Sequence, residues 1–151
     1  MDADLSAHLK AIPGVVSVTL SNDALWVEAP ELDVEAMAGA MAALGIRLGA
    51  ITAIPQSLRG ETTIVYHYAA DSQIINIRTR TRNGALASVA GKARPASWAE
   101  REIKDLFGVE FPGHPNLVPL LKPAGFENGM MRKAMCGPAV LAKSPTSLAT
   151  P

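Results

Sequence analysis

The densest group of ionisable side chains in this 151-residue sequence lies in residues 97–117, which read SWAEREIKDLFGVEFPGHPNL. Five of the six residues at positions 100–105 are charged. Glu102 and Asp105 are three residues apart and share one face of a helix, as an acid–base pair or two metal ligands would require. The nearby His114 follows a glycine and a Pro-Gly turn, and no Glu-x-x-His or His-x-x-x-His spacing occurs in the sequence. We therefore interpret the cluster as neither catalytic nor metal-binding.

Other common catalytic and cofactor-binding patterns are also missing from the sequence. There is no Walker A motif, no GxGxxG after a predicted strand and no GxSxG nucleophile elbow. Cys136 is the single cysteine, so it forms neither an intrachain disulfide nor a CxxC metal site. By elimination, the residues do not describe an independent enzyme, and we expect no cofactor in this chain.

The overall composition indicates a soluble cytoplasmic domain. The 14 basic and 14 acidic residues balance to a net charge of zero, which argues against a polyanionic partner. The N-terminal residues MDADLSAHLK lack the basic and apolar regions of a signal peptide. The longest apolar region, AMAGAMAALGIRLGAITAIP, is interrupted by Arg47 and several glycines and predicts no membrane span.

An alternating row of arginines leaves a second interpretation open. Arg78, Arg80 and Arg82 recur every second residue, so they share one face of a predicted strand. Such a stripe is able to contact phosphates in a nucleic acid or charges on another protein. No aromatic residues are interleaved with it, which makes a general protein- or nucleic-acid-binding module the alternative rather than the preferred function.

The remaining pattern predicts the elements that position the charged cluster. Helical spacing in residues 4–12, alternation in residues 15–20 and 24–29, and an Asp33-capped helix ending near Gly45 give a helix, a hairpin and a second helix. Strand patterns follow at residues 46–54, 62–69 and 73–82. The order helix, two strands, helix, three strands predicts an α+β fold, a two-layer domain with a mixed sheet in residues 1–91.

After this domain, the sequence predicts a short charged helix and then an extended tail. Ser97 and Glu100 have capping-box spacing, Trp98 and Phe107 belong to the apolar side, and Gly108 ends the helix. The charges predict helix-surface ion pairs between Glu100 and Lys104 and between Arg101 and Asp105. We place the helix and its loop in residues 92–122, packed on the domain. Residues 123–151, rich in proline and glycine, are expected to be disordered or laid over a partner.

Residues 98–117 also resemble the signature of a known family. The pattern W-x-E-R-E-x-x-D-L-F-G-V-x-F-x-G-H-P-N-L is similar to that of the 30 kDa subunit of respiratory complex I, which is the C subunit of bacterial NADH-quinone oxidoreductase. A related subunit occurs in energy-converting membrane-bound [NiFe] hydrogenases and formate hydrogenlyases. Arg132 and Lys133 resemble an Arg-Lys pair that follows the signature in the family.

The resemblance implies a non-catalytic subunit of a peripheral arm, with no membrane span of its own and attached to the inner membrane through its complex. The implied partners are the large subunit of complex I or of a [NiFe] hydrogenase and neighbouring Fe-S subunits, and not nucleic acid. Fe-S clusters, a Ni-Fe site or quinone are implied only in those partners. Electron donor and branch of the family stay open. The resemblance implies a partner interface formed by Trp98, Glu100, Arg101, Glu102, Asp105, Phe107, Gly108, His114, Pro115, Arg132 and Lys133.

We further hypothesise that four charges of the signature, Glu100, Arg101, Glu102 and Asp105, pair with charges on the large subunit. Ion pairs across an interface fix register and partner choice more than raw affinity.

Overall fold

The computed structural model of the chain describes residues 2–56, 61–71 and 73–131, with side chains from residue 4 onward. The predicted order of elements is confirmed. The helices and strands are α1 (Asp2–Lys10), β1 (Ser17–Ser21), β2 (Ala24–Glu28), α2 (Val34–Ala43), β3 (Arg47–Pro55), β4 (Thr62–Ala69), β5 (Ile74–Arg80) and α3 (Ala96–Phe107).

The five strands form one mixed sheet in the order β1-β2-β5-β4-β3. β2 and β5 are parallel, and the other three neighbouring pairs are antiparallel. β5 therefore lies between β2 and β4, with Ile77 opposite Val27 on one side and Tyr66 on the other. This arrangement confirms the predicted α+β fold.

The β1–β2 connection shows why these residues form a hairpin. Asn22 and Asp23 have φ angles of 51° and 59°, both in the left-handed region. Consecutive left-handed residues form the type I′ turn, whose twist matches that of the flanking strands. Asparagine and aspartate tolerate this conformation better than other non-glycine residues, so the predicted hairpin around Ser21 is confirmed.

The helices cover one face of the sheet and enclose the core there. Alternate residues of β4 and β5, such as Tyr66 and Ile77, are fully buried in one cluster with Leu9 of α1 and Met37 of α2. α2 begins at the predicted cap, because the Asp33 carboxylate accepts a hydrogen bond of 2.9 Å from the N–H of Ala36. α3 contacts β3, the edge strand at the opposite end of the sheet from β1.

The turn after α1 depends on a glycine that packs directly against the segment before α2. Gly14 has φ +91°, and a Cβ there would lie 2.2 Å from the Glu31 carbonyl oxygen. Gly84 is also left-handed, at φ +75°, but a Cβ on it would meet no heavy atom within 4 Å. Both glycines therefore have a backbone conformation that would strain another residue, but only Gly14 also lacks space for a Cβ.

We expect Gly14→Ala to lower the free energy of unfolding more than Gly84→Ala does. The left-handed backbone alone costs alanine about 1–2 kcal/mol at either position. Only Gly14→Ala also forces the backbone near Glu31 to move. Urea unfolding of the two variants checks this, and equal midpoints would show that the Gly14 contact is dispensable.

Candidate functional site

The signature residues begin in α3, whose start differs from the sequence prediction. The helix begins at Ala96, the residue before it is Pro95, and no side chain caps its first turn. Ser97 is therefore inside the helix, and the predicted capping box is wrong. The predicted end is correct, because Gly108 is left-handed at φ 69° and its N–H bonds the Lys104 carbonyl at 2.9 Å.

Glu100 is completely buried, with 0% of its surface exposed. Its Oε1 accepts a 2.8 Å hydrogen bond from the N–H of Val89, and its Oε2 accepts a 2.5 Å bond from the Ser88 hydroxyl. Lys104 instead pairs with Glu110 at 2.8 Å, so the predicted Glu100–Lys104 pair is wrong. Glu100 connects α3 to the segment that follows β5.

Burial raises the pKa of the Glu100 carboxyl above its ordinary value, because a buried charge loses its solvation. The hydrogen bonds from Ser88 and Val89, and the nearby His114, favour the charged form and offset part of that rise. The ionised form of Glu100 is therefore stabilised by its neighbours, but not enough to offset the free energy lost by burying its charge.

Asp105 is also buried, at 1% exposure, and organises the loop after the helix. Its Oδ2 accepts hydrogen bonds from the consecutive N–H groups of Leu120, Leu121 and Lys122, at 2.8, 2.8 and 3.1 Å. Burial alone would raise the pKa of this carboxyl, but the three backbone donors and the Lys122 charge lower it below its ordinary value.

Arg101 holds the same loop from one turn earlier in α3. Its Nε donates to the Val118 carbonyl at 2.8 Å, and an Nη atom donates to the Pro119 carbonyl at 3.0 Å. The predicted Arg101–Asp105 ion pair is therefore wrong, since both side chains bind the backbone of residues 118–122. This segment, which we call the α3 loop, is fixed by a cation on its carbonyls and an anion on its amides.

His114 anchors the chain between α3 and this loop. Its side chain is fully buried, its Nδ1 accepts from the N–H of Asn116 at 2.9 Å, and its Nε2 contacts the Ser97 carbonyl at 3.1 Å. These partners assign the proton to Nε2, since a carbonyl only accepts and an N–H only donates. His114 is therefore a structural anchor, 3.9 Å from the nearest Glu100 oxygen.

Residues 123–131 return to the C-terminal end of α3. The N–H of Gly129 donates to the Asp105 carbonyl at 2.9 Å. Gly108 and Gly129 pass so closely that a Cβ on Gly108 would lie 3.4 Å from the Gly129 Cα. Arg132 and Lys133, predicted to belong to the interface, lie outside the described residues.

Several apolar residues of this region are exposed. Trp98 is 70% exposed, so it does not share the buried side of α3 with Phe107, with which it was predicted to form one apolar side. Phe107, by contrast, is partly buried against the core. Glu102 and Pro115 are exposed. Further exposed apolar residues follow in the α3 loop and beyond it: Val118, Leu121, Phe126, Met130 and Met131.

We call Trp98, Glu102, Val118, Leu121 and Phe126 the signature surface. Exposed apolar side chains on neighbouring segments are typical of a protein interaction site. Glu100 and Asp105 are instead buried and have intrachain partners. This corrects the hypothesis that their charges pair directly with another subunit.

The arginine row does not form an open cationic stripe. Arg78 pairs with Glu28 at 2.8 Å and lies 5.2 Å from the centre of the Trp26 ring. Arg82 pairs with Glu31 at 3.2 Å. Two of the three arginines are therefore paired with carboxylates, which weakens the nucleic-acid alternative.

Within residues 2–56, 61–71 and 73–131, no three His, Cys, Asp or Glu residues are grouped as metal ligands. In the same residues, no helix has the length and apolarity needed to cross a bilayer.

Sequence reasoning missed the groups that bind the buried carboxylates. Ser88 and the amides of residues 120–122 are remote in sequence from α3, and backbone amides leave no signal in a residue pattern. The available sign was indirect: a short, charged helix is marginally stable alone, so α3 needs partners elsewhere in the fold.

We expect Asp105→Asn to destabilise the chain at neutral pH by about 1.5–3 kcal/mol, because a neutral amide replaces an ionised acceptor of three N–H groups. The lowered pKa means that the wild-type carboxylate stabilises the fold above its unfolded-state pKa. This stabilisation is lost as pH falls through the folded-state pKa. The wild-type advantage should therefore shrink on acidification. Urea midpoints measured across pH check it, and a pH-independent difference would contradict the carboxylate's role.

We expect Glu100→Gln to show the opposite dependence. A raised folded-state pKa favours the fold below the unfolded-state pKa, and that benefit disappears as pH rises through the folded-state value. Stability relative to wild type should therefore shift in favour of Glu100→Gln as pH rises. The exposed Glu102→Gln is the matched control, with an expected change within about 0.5 kcal/mol. Parallel pH curves for wild type and Glu100→Gln would refute the assigned burial effect.

Comparison with known proteins places this arrangement in a family. The family model described as respiratory-chain NADH dehydrogenase, 30 Kd subunit, matches residues 27–139. The NADH-quinone oxidoreductase C subunit of Mesorhizobium japonicum is 40% identical over 73 residues, covering 46% of this chain and 36% of that protein. The C subunit of the same enzyme from Cereibacter sphaeroides is 37% identical over 87 residues, covering 55% and 44%. The matches thus span less than half of these relatives' length.

Two solved structures share the fold. A trypsin-resistant fragment of Nqo5 superposes with a TM-score of 0.61 at 26% identity, covering 76% of this chain and 98% of the fragment. A chain of the membrane-bound sulfane sulfur reductase, an archaeal respiratory membrane complex, has a TM-score of 0.65 at 21% identity, covering 75% and 71%. The second likeness concerns the fold alone. The family match includes β3 to β5, α3 and the α3 loop, and this chain belongs to the respiratory-chain NADH dehydrogenase 30 kDa subunit family.

Proposed function

We propose that this chain is a non-catalytic, peripheral-arm subunit of a complex I-like NADH-quinone oxidoreductase or of a related membrane-bound [NiFe] hydrogenase or formate hydrogenlyase. It binds the large subunit of that complex through the signature surface and supports electron transfer there by assembly. Quinone, Ni-Fe and Fe-S groups belong to the partners in this proposal. The chain is cytoplasmic and reaches the inner membrane through its complex.

The observation that carries the proposal is the arrangement of charged and apolar residues around α3. Arg101 and Asp105 are committed to the backbone of the α3 loop, while Trp98 is exposed. A large aromatic side chain held on a rigid element is typical of an interface anchor, because little conformational entropy is lost when it is buried. The internal charges supply that rigidity.

Glu102 gives this surface a charge at its edge. It is exposed on α3, and the structure shows no hydrogen bond or ion pair from its side chain to the described residues. A charge in such a position contributes to orientation and partner choice more than to affinity. Of the four charges first assigned to partner ion pairs, Glu102 is the one available without breaking an internal bond to a described residue.

We expect Trp98→Ala to leave the free energy of unfolding within about 0.5 kcal/mol of wild type, since an exposed side chain contributes little to the core. Recovery of the large subunit with the tagged full chain, purified gently from its host's membranes, should fall about thirtyfold or more, as truncation of an interface anchor costs about 2 kcal/mol or more. Mass spectrometry of the recovered partners measures it.

Leu20→Ala is the matched control, because Leu20 is 61% exposed on β1, at the opposite sheet edge from β3. It should retain the partner. Equal recovery with Trp98→Ala and Leu20→Ala would reject the signature surface as the binding site. A partner with the four cysteines of a Ni-Fe site would assign the hydrogenase branch, and one accompanied by NADH-oxidising subunits would assign complex I. Recovery of the chain alone would reject the proposed function.

A further inference from the structure

A second surface combines an apolar floor with cations. It is an open cleft of about 620 Å³ between α2, the start of β3 and the segment 92–95. Met41 of α2, Leu48 of β3 and Tyr68 of β4 line it and are buried, with at most 8% of each exposed. The floor is therefore continuous with the hydrophobic core.

The rim of this cleft carries positive charge without a matching negative charge. Arg47, Lys92 and Arg94 line it, and the residues lining it include no aspartate or glutamate. Among the described residues, the structure shows no ion pair for any of these three cations. In a chain whose charges balance overall, three cations around one apolar cleft form a distinct feature of the surface.

Lys92 is held in place rather than free to extend into solvent. Its ammonium donates a 2.9 Å hydrogen bond to the carbonyl of Glu35 in α2. It also lies 3.6 Å from where a Cβ on Gly39 would stand, an ordinary van der Waals distance, so the ammonium lies against α2. One of the three charges is therefore fixed at the mouth of the cleft.

A neighbouring cleft shares Arg47 and contains acidic residues. Asp4 and Asp71 line that cleft together with Arg47, but neither forms an ion pair with it. Glu35 is exposed on α2, and it is the Glu35 carbonyl, not its carboxylate, that Lys92 contacts. No carboxylate among the residues that line the cleft offsets the three cations.

Tyr68, which lines the cleft, also carries an unpaired polar atom. Its hydroxyl is buried and has no hydrogen-bond partner within the described part of the chain. An unpaired buried hydroxyl costs free energy, and burial raises the pKa of the Tyr68 phenol above its ordinary range. The phenol therefore remains a neutral donor.

We propose that this cleft binds a segment of a partner subunit that inserts an apolar side chain between flanking carboxylates. The apolar residue covers the Met41–Leu48 floor, and the carboxylates meet Arg47, Lys92 and Arg94. Such a pairing matches a desolvated centre with complementary charges at its edge, as protein interfaces commonly do.

A protein segment fits this cleft better than a small ligand does. Small-molecule sites usually enclose most of their ligand, whereas this cleft is open and its cations stand at the edge. The cleft is also next to the signature surface, because Pro95 lines the cleft and Trp98 follows it by about one helical turn. The inference rests on the proposed function, since one partner would contact both surfaces.

The test places a photo-crosslinking benzoylphenylalanine at Ala42, an exposed residue that lines the cleft. The tagged full chain is irradiated in its host's membranes, and crosslinked peptides are mapped. We expect a crosslink to another protein of the complex, at an apolar residue with at least two acidic residues nearby. A crosslink to a peptide without acidic residues, or to a small molecule, would overturn the inference.

A charge reversal provides an independent measurement. Arg47→Glu combined with Arg94→Glu should reduce recovery of the crosslinked partner about tenfold or more at low salt, because like charges would then face each other. Arg80→Glu, at an exposed arginine of β5, is the control and should retain recovery. Unfolding midpoints verify that wild type and both variants are folded.

The outcomes separate the two proposals. Loss of the partner with Trp98→Ala, together with normal recovery after the double charge reversal and no crosslink from Ala42, would keep the proposed function and reject the cleft. Loss with both the Trp98 and the Arg47/Arg94 variants supports both surfaces. Recovery of no partner by the wild-type chain would reject both.

Discussion

The surface around α3 depends on one electrostatic arrangement: the carboxylate of Asp105 receives three consecutive backbone N–H groups. These N–H groups belong to a loop outside the helices and strands, so they have no regular backbone hydrogen bonds. Arg101 binds two carbonyls of the same loop, so side chains of α3 bind both the carbonyl groups and the N–H groups of the loop backbone. Without these contacts the loop would gain conformational freedom, and the apolar side chains it carries would have no fixed positions.

Glu100 connects the same helix to a different part of the chain. Its buried carboxylate binds Ser88 and the amide of Val89, so α3 is joined to the segment that leaves the sheet. The two carboxylates differ because Asp105 has three backbone donors near a lysine, whereas Glu100 has two donors and a histidine nearby. The surroundings of α3 therefore favour the ionised form of Asp105 and disfavour that of Glu100. Removing either partner set would leave a buried charge unpaired, which is the situation that most strongly disfavours a fold.

Local chemistry explains which parts of the fold the sequence predicts. The hairpin at Asn22 and Asp23, the Asp33 cap and the Gly108 stop all arise from residues acting on their immediate neighbours. The errors have a common origin: Ser97, Glu100 and Trp98 were interpreted through contacts within a few residues. The real partners of Glu100 come from before the helix, and those of Asp105 from beyond it, so helical spacing pairs the wrong charges. The signature itself predicts the family correctly because its residue order is specific even where their contacts are not visible.

The position of β5 has a consequence for how the chain reaches this structure. β5 pairs in parallel with β2 and antiparallel with β4, so it fills the space between two hairpins, β1–β2 and β3–β4. Each hairpin closes through local contacts, but they join into one sheet only after β5 has emerged and inserted. Long-range pairing of this kind slows folding relative to local pairing. The sheet is therefore continuous only when β5, the strand that carries Arg78, has paired with both β2 and β4.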